Sequence, residues 1–179
     1  MSLIVAIHNE SDIVIAWDKQ SRYSPAPGHA FIPPEEEVKK VAKINNQLAI
    51  MVAGSYNSDT LRLLADFRER NASASLDAAF KALLPLGSKM VLKPNERGMM
   101  IGLAGYSAGK PTYRFLIREY GDPNLTYVLD YPNNYYLSGE EGPTKTAEAR
   151  IHAEGLDAPL PTAEIETRLR SIVGDCIEQ

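Results

Sequence analysis

Apolar residues fall in short blocks along this chain, and the spacing within each block predicts its element. Ser2-Leu3-Ile4-Val5-Ala6-Ile7 is dense in β-branched side chains, and after the polar stretch His8 to Asp12 the run Ile13-Val14-Ile15-Ala16-Trp17 repeats the signal. Two such runs predict a β-hairpin that begins almost at the first residue. From Ser21 to Pro34 the chain carries Pro25, Pro27, Gly28, Pro33 and Pro34. That density of breakers predicts a loop, and the Val38-Lys39-Lys40-Val41 stretch after it predicts a strand. Leu48 to Ala53, closed by Gly54, is an apolar run of strand length, joined to the preceding strand through an Asn45-Asn46 turn.

The period then changes. Asn57 and Ser58 can cap a helix whose inner face holds Leu61, Leu64 and Ala65, widened by Leu63 and Phe67 and running to about Arg70. Ser75 can cap a second, with Leu76, Ala79, Phe80 and Leu83 on one side and Pro85 ending it. Four short strand-like runs follow: Met99 to Ala104, Thr112 to Arg118, Thr126 to Leu129 and Tyr135 to Leu137. Tyr127, Tyr131, Tyr135 and Tyr136 read as a hairpin with half-buried aromatics. Thr144 to Ala153 and Thr162 to Val173 are helical in period, the latter capped by Thr162 and burying Ile165, Leu169 and Ile172.

The order is four strands, two helices, four strands, two helices. Such blocks bury their apolar faces when two sheets pack on each other with helices outside each. The expected fold is a single-domain α+β, four-layer αββα sandwich over residues 1–179. A chain of 179 residues with 44% hydrophobic and 23% charged residues has enough apolar surface for one core.

Nineteen Lys and Arg against twenty-three Asp and Glu give a formal charge of -4, without a basic stripe to neutralise phosphates, so nucleic-acid binding is not expected. No leader-like or spanning apolar stretch is expected, and the compartment implied is the cytoplasm. Cys176 has no partner thiol, and His8, His29 and His152 stand at no metal-ligand spacing, so neither a metal nor a cofactor is expected. The glycines around Gly102 and Gly105 lack the strand-to-helix setting of a phosphate loop.

Chemistry concentrates at the start. Removal of Met1 would leave Ser2 with a hydroxyl and a free α-amine on one residue, the amine having an ordinary pKa of about 7.7 to 8.0. Nucleophile and base then coincide. Read alone, Ser2 is an ordinary second residue behind a retained Met1. Read with its surroundings, it changes meaning: Asp18 follows sixteen residues later at the end of Ile15-Ala16-Trp17, Lys39-Lys40-Val41-Ala42-Lys43-Ile44-Asn45 forms a strand motif, and Ala53-Gly54 lies fourteen residues after Lys40.

Those segments, with Leu137-Ser138-Gly139, resemble the proteasome β-subunit-like peptidases of the N-terminal nucleophile (Ntn) hydrolases, in particular their bacterial branch. The resemblance covers roughly Ser2 to Gly155. It implies that Ser2 attacks a peptide carbonyl, Lys40 favours its developing alkoxide, Asp18 holds that lysine, Gly54 gives a backbone N–H to the oxyanion and Ser138 is a supporting serine. It also implies peptide or unfolded-protein substrates and a homo-oligomeric ring, fed by an ATPase. The pattern departs from the family in using serine for threonine, in a long Pro-rich loop between Asp18 and Lys40, and in lacking counterparts of two late strands with their aspartate and serine. These departures leave open a catalytically inactive scaffold or assembly protein, and an Ntn amidohydrolase acting on a small amide. Asp18 and Lys40 could equally be a structural ion pair, and Ser138 plain turn chemistry.

Overall fold

The first hairpin forms as its apolar runs predict. β1 (Leu3–His8) and β2 (Ile13–Trp17) pair antiparallel, with Ile4 opposite Trp17 and Ile7 opposite Val14. The computed structural model describes residues 3–17, 40–54, 58–89, 98–119, 126–128, 131, 133–139 and 141–177. Every residue from Leu3 to Ile7 has lost all contact with solvent. A strand covered on both faces needs a continuous apolar sequence, not an alternating one, and Leu-Ile-Val-Ala-Ile supplies it. On its other side β1 pairs antiparallel with β8 (Tyr135–Gly139), giving a three-stranded sheet in the order β2-β1-β8.

The second sheet has five strands in the order β3-β4-β5-β6-β7: β3 (Val41–Asn45), β4 (Leu48–Gly54), β5 (Gly98–Ser107), β6 (Lys110–Glu119) and β7 (Thr126–Val128). Each neighbouring pair is antiparallel. β5 and β6 are longer than their apolar cores suggest. They close through Ala108-Gly109, both at positive φ (49° and 77°), the left-handed pair that a two-residue hairpin turn requires. Gly102 of β5 marks a close approach, since a Cβ there would lie 2.8 Å from the Phe115 ring and 2.9 Å from the Met51 methyl.

The four helices are α1 (Ser58–Arg70), α2 (Leu76–Gly87), α3 (Glu141–Ala153) and α4 (Thr162–Ile177). In α1 the buried face is Leu64 and Phe67, with Ala65 exposed, a correction to the expected stripe. Ser75 caps α2 as expected, accepting a hydrogen bond from the Ala78 N–H at 3.3 Å. Pro85 does not end that helix. Near a C-terminus the missing N–H removes a single ladder bond, and the last turn continues with the Ser88 hydroxyl donating to the Leu84 carbonyl at 3.3 Å. α3 begins before Thr144 because Pro143 lies in the first turn, where no intrahelical N–H bond is due. α4 continues past Val173 to bury Cys176 as well.

Three apolar clusters hold these elements. In the first, Leu64 and Phe67 of α1 and Ala79, Phe80 and Leu83 of α2 meet Ile50 and Val52 of β4 and Ile101 and Leu103 of β5. In the second, Ala147 and Ile151 of α3 and Ile165, Leu169 and Ile172 of α4 meet Leu3, Val5 and Ile7 of β1. The third draws on both sheets: Ile4 and Ala6 of β1 with Val41, Met51, Ala53, Met100, Tyr113 and Phe115. The fold is thus α+β, with two antiparallel sheets and four helices. The tyrosine-rich segment is not one hairpin, because β7 belongs to the larger sheet and β8 to the smaller. Tyr136 and Tyr131 are nevertheless partly buried, Tyr136 stacked on Phe115 of the other sheet with centroids 4.1 Å apart.

Leu169, fully buried between α4 and β1, offers a direct test of this arrangement. Leu169→Ala should cost about 2–5 kcal/mol of stability, read as a lowered urea midpoint with an unchanged slope.

Candidate active site

Lys40, immediately before β3, is 4% exposed. Burial of a lysine to this degree requires partners, and Lys40 is engaged with its surroundings. Its carbonyl accepts a hydrogen bond from the Val52 N–H at 2.7 Å, which extends the β3–β4 ladder one pair beyond Val41 and Met51. Gly54 lies two residues farther along β4, diagonal to Lys40. Diagonal neighbours in such a ladder are roughly 7–8 Å apart.

Gly54 ends β4 with φ +89°, and a Cβ built on it would lie 2.3 Å from the Gly98 carbonyl oxygen. Both the backbone conformation and the space available exclude a side chain. Its exposed backbone can be approached closely from outside.

Ser138 sits on β8 opposite Ile4, and Gly139 sits opposite Leu3, so this serine marks the end of the smaller sheet at which β1 begins. Tyr136, two residues earlier and therefore on the same face, shares a hydrogen bond with Ser138. Burial pushes the Tyr136 phenol up to about 12, with the Ser138 hydrogen bond acting in the opposite direction. The sequence reading did not couple these residues, although the Tyr-Tyr-Leu-Ser alternation carried that signal.

The structure therefore brings Lys40 and Gly54 to neighbouring strand ends in one sheet and Ser138 beside the first residues of β1 in the other. Their neighbours Val41, Ala53 and Ile4 share the cluster between the sheets, and β4 approaches β8 directly. Ser2 and Asp18 lie outside the described residues. Their chain neighbours, Leu3 and Trp17, are at the same end of the β1–β2 pair.

Beside β8 lies a groove of about 430 Å³, with Tyr135, Ser138 and Gly139 on one side and Thr144 and Glu148 of α3 on the other. His152 closes a network here that the sequence left unassigned. Its Nδ1 is 2.9 Å from Asp157 Oδ2 and its Nε2 is 3.2 Å from the Tyr135 hydroxyl. The hydrogen bond with His152 holds the Asp157 carboxyl below its ordinary range. Among the described residues, no group of three or more His, Cys, Asp or Glu is placed to hold a metal ion, and no helix is long and apolar enough to cross a membrane.

No protein-family model and no curated protein matches the chain. Among solved structures it is similar to eukaryotic HslV from Trypanosoma brucei, with a TM-score of 0.52 over 98% of this chain and 88% of that one, at 16% identity. HslV is a proteasome-like Ntn-hydrolase peptidase. The chain has a proteasome-like fold. The resemblance carried by the Lys40 and Gly54 motifs thus agrees, at the level of architecture, with a comparison that spans almost the whole chain.

Two outcomes test this geometry. Gly54→Ala should destabilise the protein by more than about 1–3 kcal/mol, the cost of left-handed strain alone, because the Gly98 carbonyl must also move; chemical denaturation measures it. Tyr136, whose folded pKa of about 12 exceeds the unfolded value near 10, contributes stability that is complete below pH ~10 and is lost as pH rises towards ~12. Tyr136→Phe should flatten that alkaline decline in a pH series of unfolding midpoints.

Proposed function

We propose that this chain is a peptidase of the proteasome-like Ntn type, a single αββα four-layer domain that cleaves peptide bonds with Ser2 as its N-terminal nucleophile. The observation that carries the reading is a buried lysine, Lys40, diagonal across the β3–β4 ladder from a left-handed glycine, Gly54, within a proteasome-like fold. The three apolar clusters support the four layers, each matching one interface between adjacent layers.

In this mechanism the Ser2 α-amine, free once Met1 is removed, accepts the hydroxyl proton as Oγ attacks the peptide carbonyl. The Lys40 ammonium stabilises the developing alkoxide, and Asp18 keeps that lysine charged and oriented. The Gly54 N–H donates to the oxyanion. Collapse of the tetrahedral intermediate breaks the C–N bond, the amine returns its proton to the departing amine, and an ester to Ser2 remains. Water, deprotonated by the same amine, attacks that ester and regenerates Ser2. Ser138, linked to Tyr136, supports proton movement next to the start of β1.

The substrate in this reading is a peptide or an unfolded protein, and the working form is a cytoplasmic homo-oligomeric ring that hides its sites, fed by an ATPase. Enclosure excludes folded proteins from a nucleophile with little side-chain preference of its own.

An intact mass before and after treatment with a peptide epoxyketone, which needs both hydroxyl and free amine, is the deciding measurement. The expected result is a chain lacking Met1 that gains one inhibitor. Retention of Met1, or a free Ser2 that never reacts, favours an inactive scaffold. Lys40→Ala should abolish hydrolysis of fluorogenic peptides without altering the oligomer's elution volume; full activity in that variant would remove the lysine from the mechanism.

A further inference from the structure

Among the described strands β8 ends the smaller sheet with one edge unpaired, and its backbone polarity can be read from one hydrogen bond. The His8 N–H donates to the Asn134 carbonyl at 2.7 Å, one pair beyond Ile7 and Tyr135. Hydrogen-bonded and non-hydrogen-bonded pairs alternate along an antiparallel ladder. Tyr136 and Ser138 therefore bond to β1, while Tyr135, Leu137 and Gly139 turn their N–H and C=O groups away from it. No described strand pairs with that side.

The groove beside β8 lies along this edge. Its lining includes Tyr135 and Leu137, which face the helices, and Ser138, which alternation puts on the opposite face. The groove therefore meets both faces of β8 and borders its outer edge towards the Gly139 end. The strand's five residues extend for roughly 17 Å, enough for a segment of similar length.

The chemistry of the lining selects the occupant. Three outward N–H groups and three outward C=O groups, repeating every second residue, match an extended backbone and not a helix. The far wall is polar, with Thr144 and Glu148, and Glu148 is the sole formal charge among the lining residues. Its carboxylate accepts from the Tyr135 hydroxyl at 3.3 Å. The nearby Lys145 is instead paired with Glu141 at 2.6 Å.

We propose that the free edge of β8 docks an extended peptide segment bearing a lysine or arginine, by strand addition, with the basic side chain directed at Glu148. The groove adjoins the site proposed above through Ser138, but docking on the β8 edge does not require the Ser2 nucleophile.

The test is a fluorescence-anisotropy titration of a labelled, alternating Thr/Lys hexapeptide against the Ser2→Ala chain, so that no cleavage consumes the probe. Two N-methylated versions, each blocking alternate N–H groups, are compared with the parent. Strand addition predicts that one methylation set weakens binding about tenfold or more through lost backbone hydrogen bonds, while the other leaves it unchanged. Glu148→Gln should weaken the lysine peptide about two- to fivefold and leave a Gln-for-Lys peptide unaffected. Absence of saturable binding, equal effects of the two methylation sets, or indifference to Glu148→Gln would overturn the proposal. So would a concentration-dependent dimer that the peptide fails to compete with, which would assign the edge to a second copy of the chain.

Discussion

The fold depends on covering β1 from both sides at once. Leu3, Val5 and Ile7 point into the helices α3 and α4, while Ile4 and Ala6 point into the larger sheet, and none of the five retains contact with solvent. Removing either cover would expose a row of aliphatic side chains, each worth about 1.5–3 kcal/mol when buried. That requirement joins Leu3, Val5 and Ile7 to α4 near the other end of the described chain.

The candidate site follows from the same constraint. A strand held rigidly on two faces fixes the residues that pair with it far better than a loop could. β8 pairs with β1 so that Ser138 stands opposite Ile4, and the cluster between the sheets links Ile4 to Val41 and Ala53, the neighbours of Lys40 and Gly54. Gly54 holds its place because a carbonyl occupies the space that a Cβ would need. Among the described residues proposed for chemistry, Lys40, Gly54 and Ser138 therefore lie at or next to strand ends.

The aromatic contact between Tyr136 and Phe115 adds a second link between the sheets. It also ties Ser138 to the interior through the Tyr136 hydrogen bond. On the opposite side of β8, Tyr135 faces α3 and meets His152 and Glu148. One short strand thus serves the inter-sheet layer through Tyr136 and the helix-facing layer through Tyr135 and Leu137.

Local sequence determined the element order, most helix faces and the strand identity of β1 to β8, because those depend on side-chain period over a few residues. The Lys40 and Gly54 motifs were likewise legible, since their spacing is set along one β3–β4 hairpin. Helix ends were less so: Pro85 looked like a breaker, yet α2 continues past it at the loss of one ladder bond, and α3 starts before Thr144 with Pro143 in its first turn, where no intrahelical N–H bond is due. Ala65 was placed inside and lies outside, because the buried stripe of α1 runs through Thr60, Leu64 and Phe67 at i, i+4 and i+7. Only tertiary structure assigned β7 and β8 to different sheets, stacked Tyr136 on Phe115 and left the outer edge of β8 unpaired among the described strands. Those are pairings between residues distant in sequence, and no local period encodes which strand edge finds a partner.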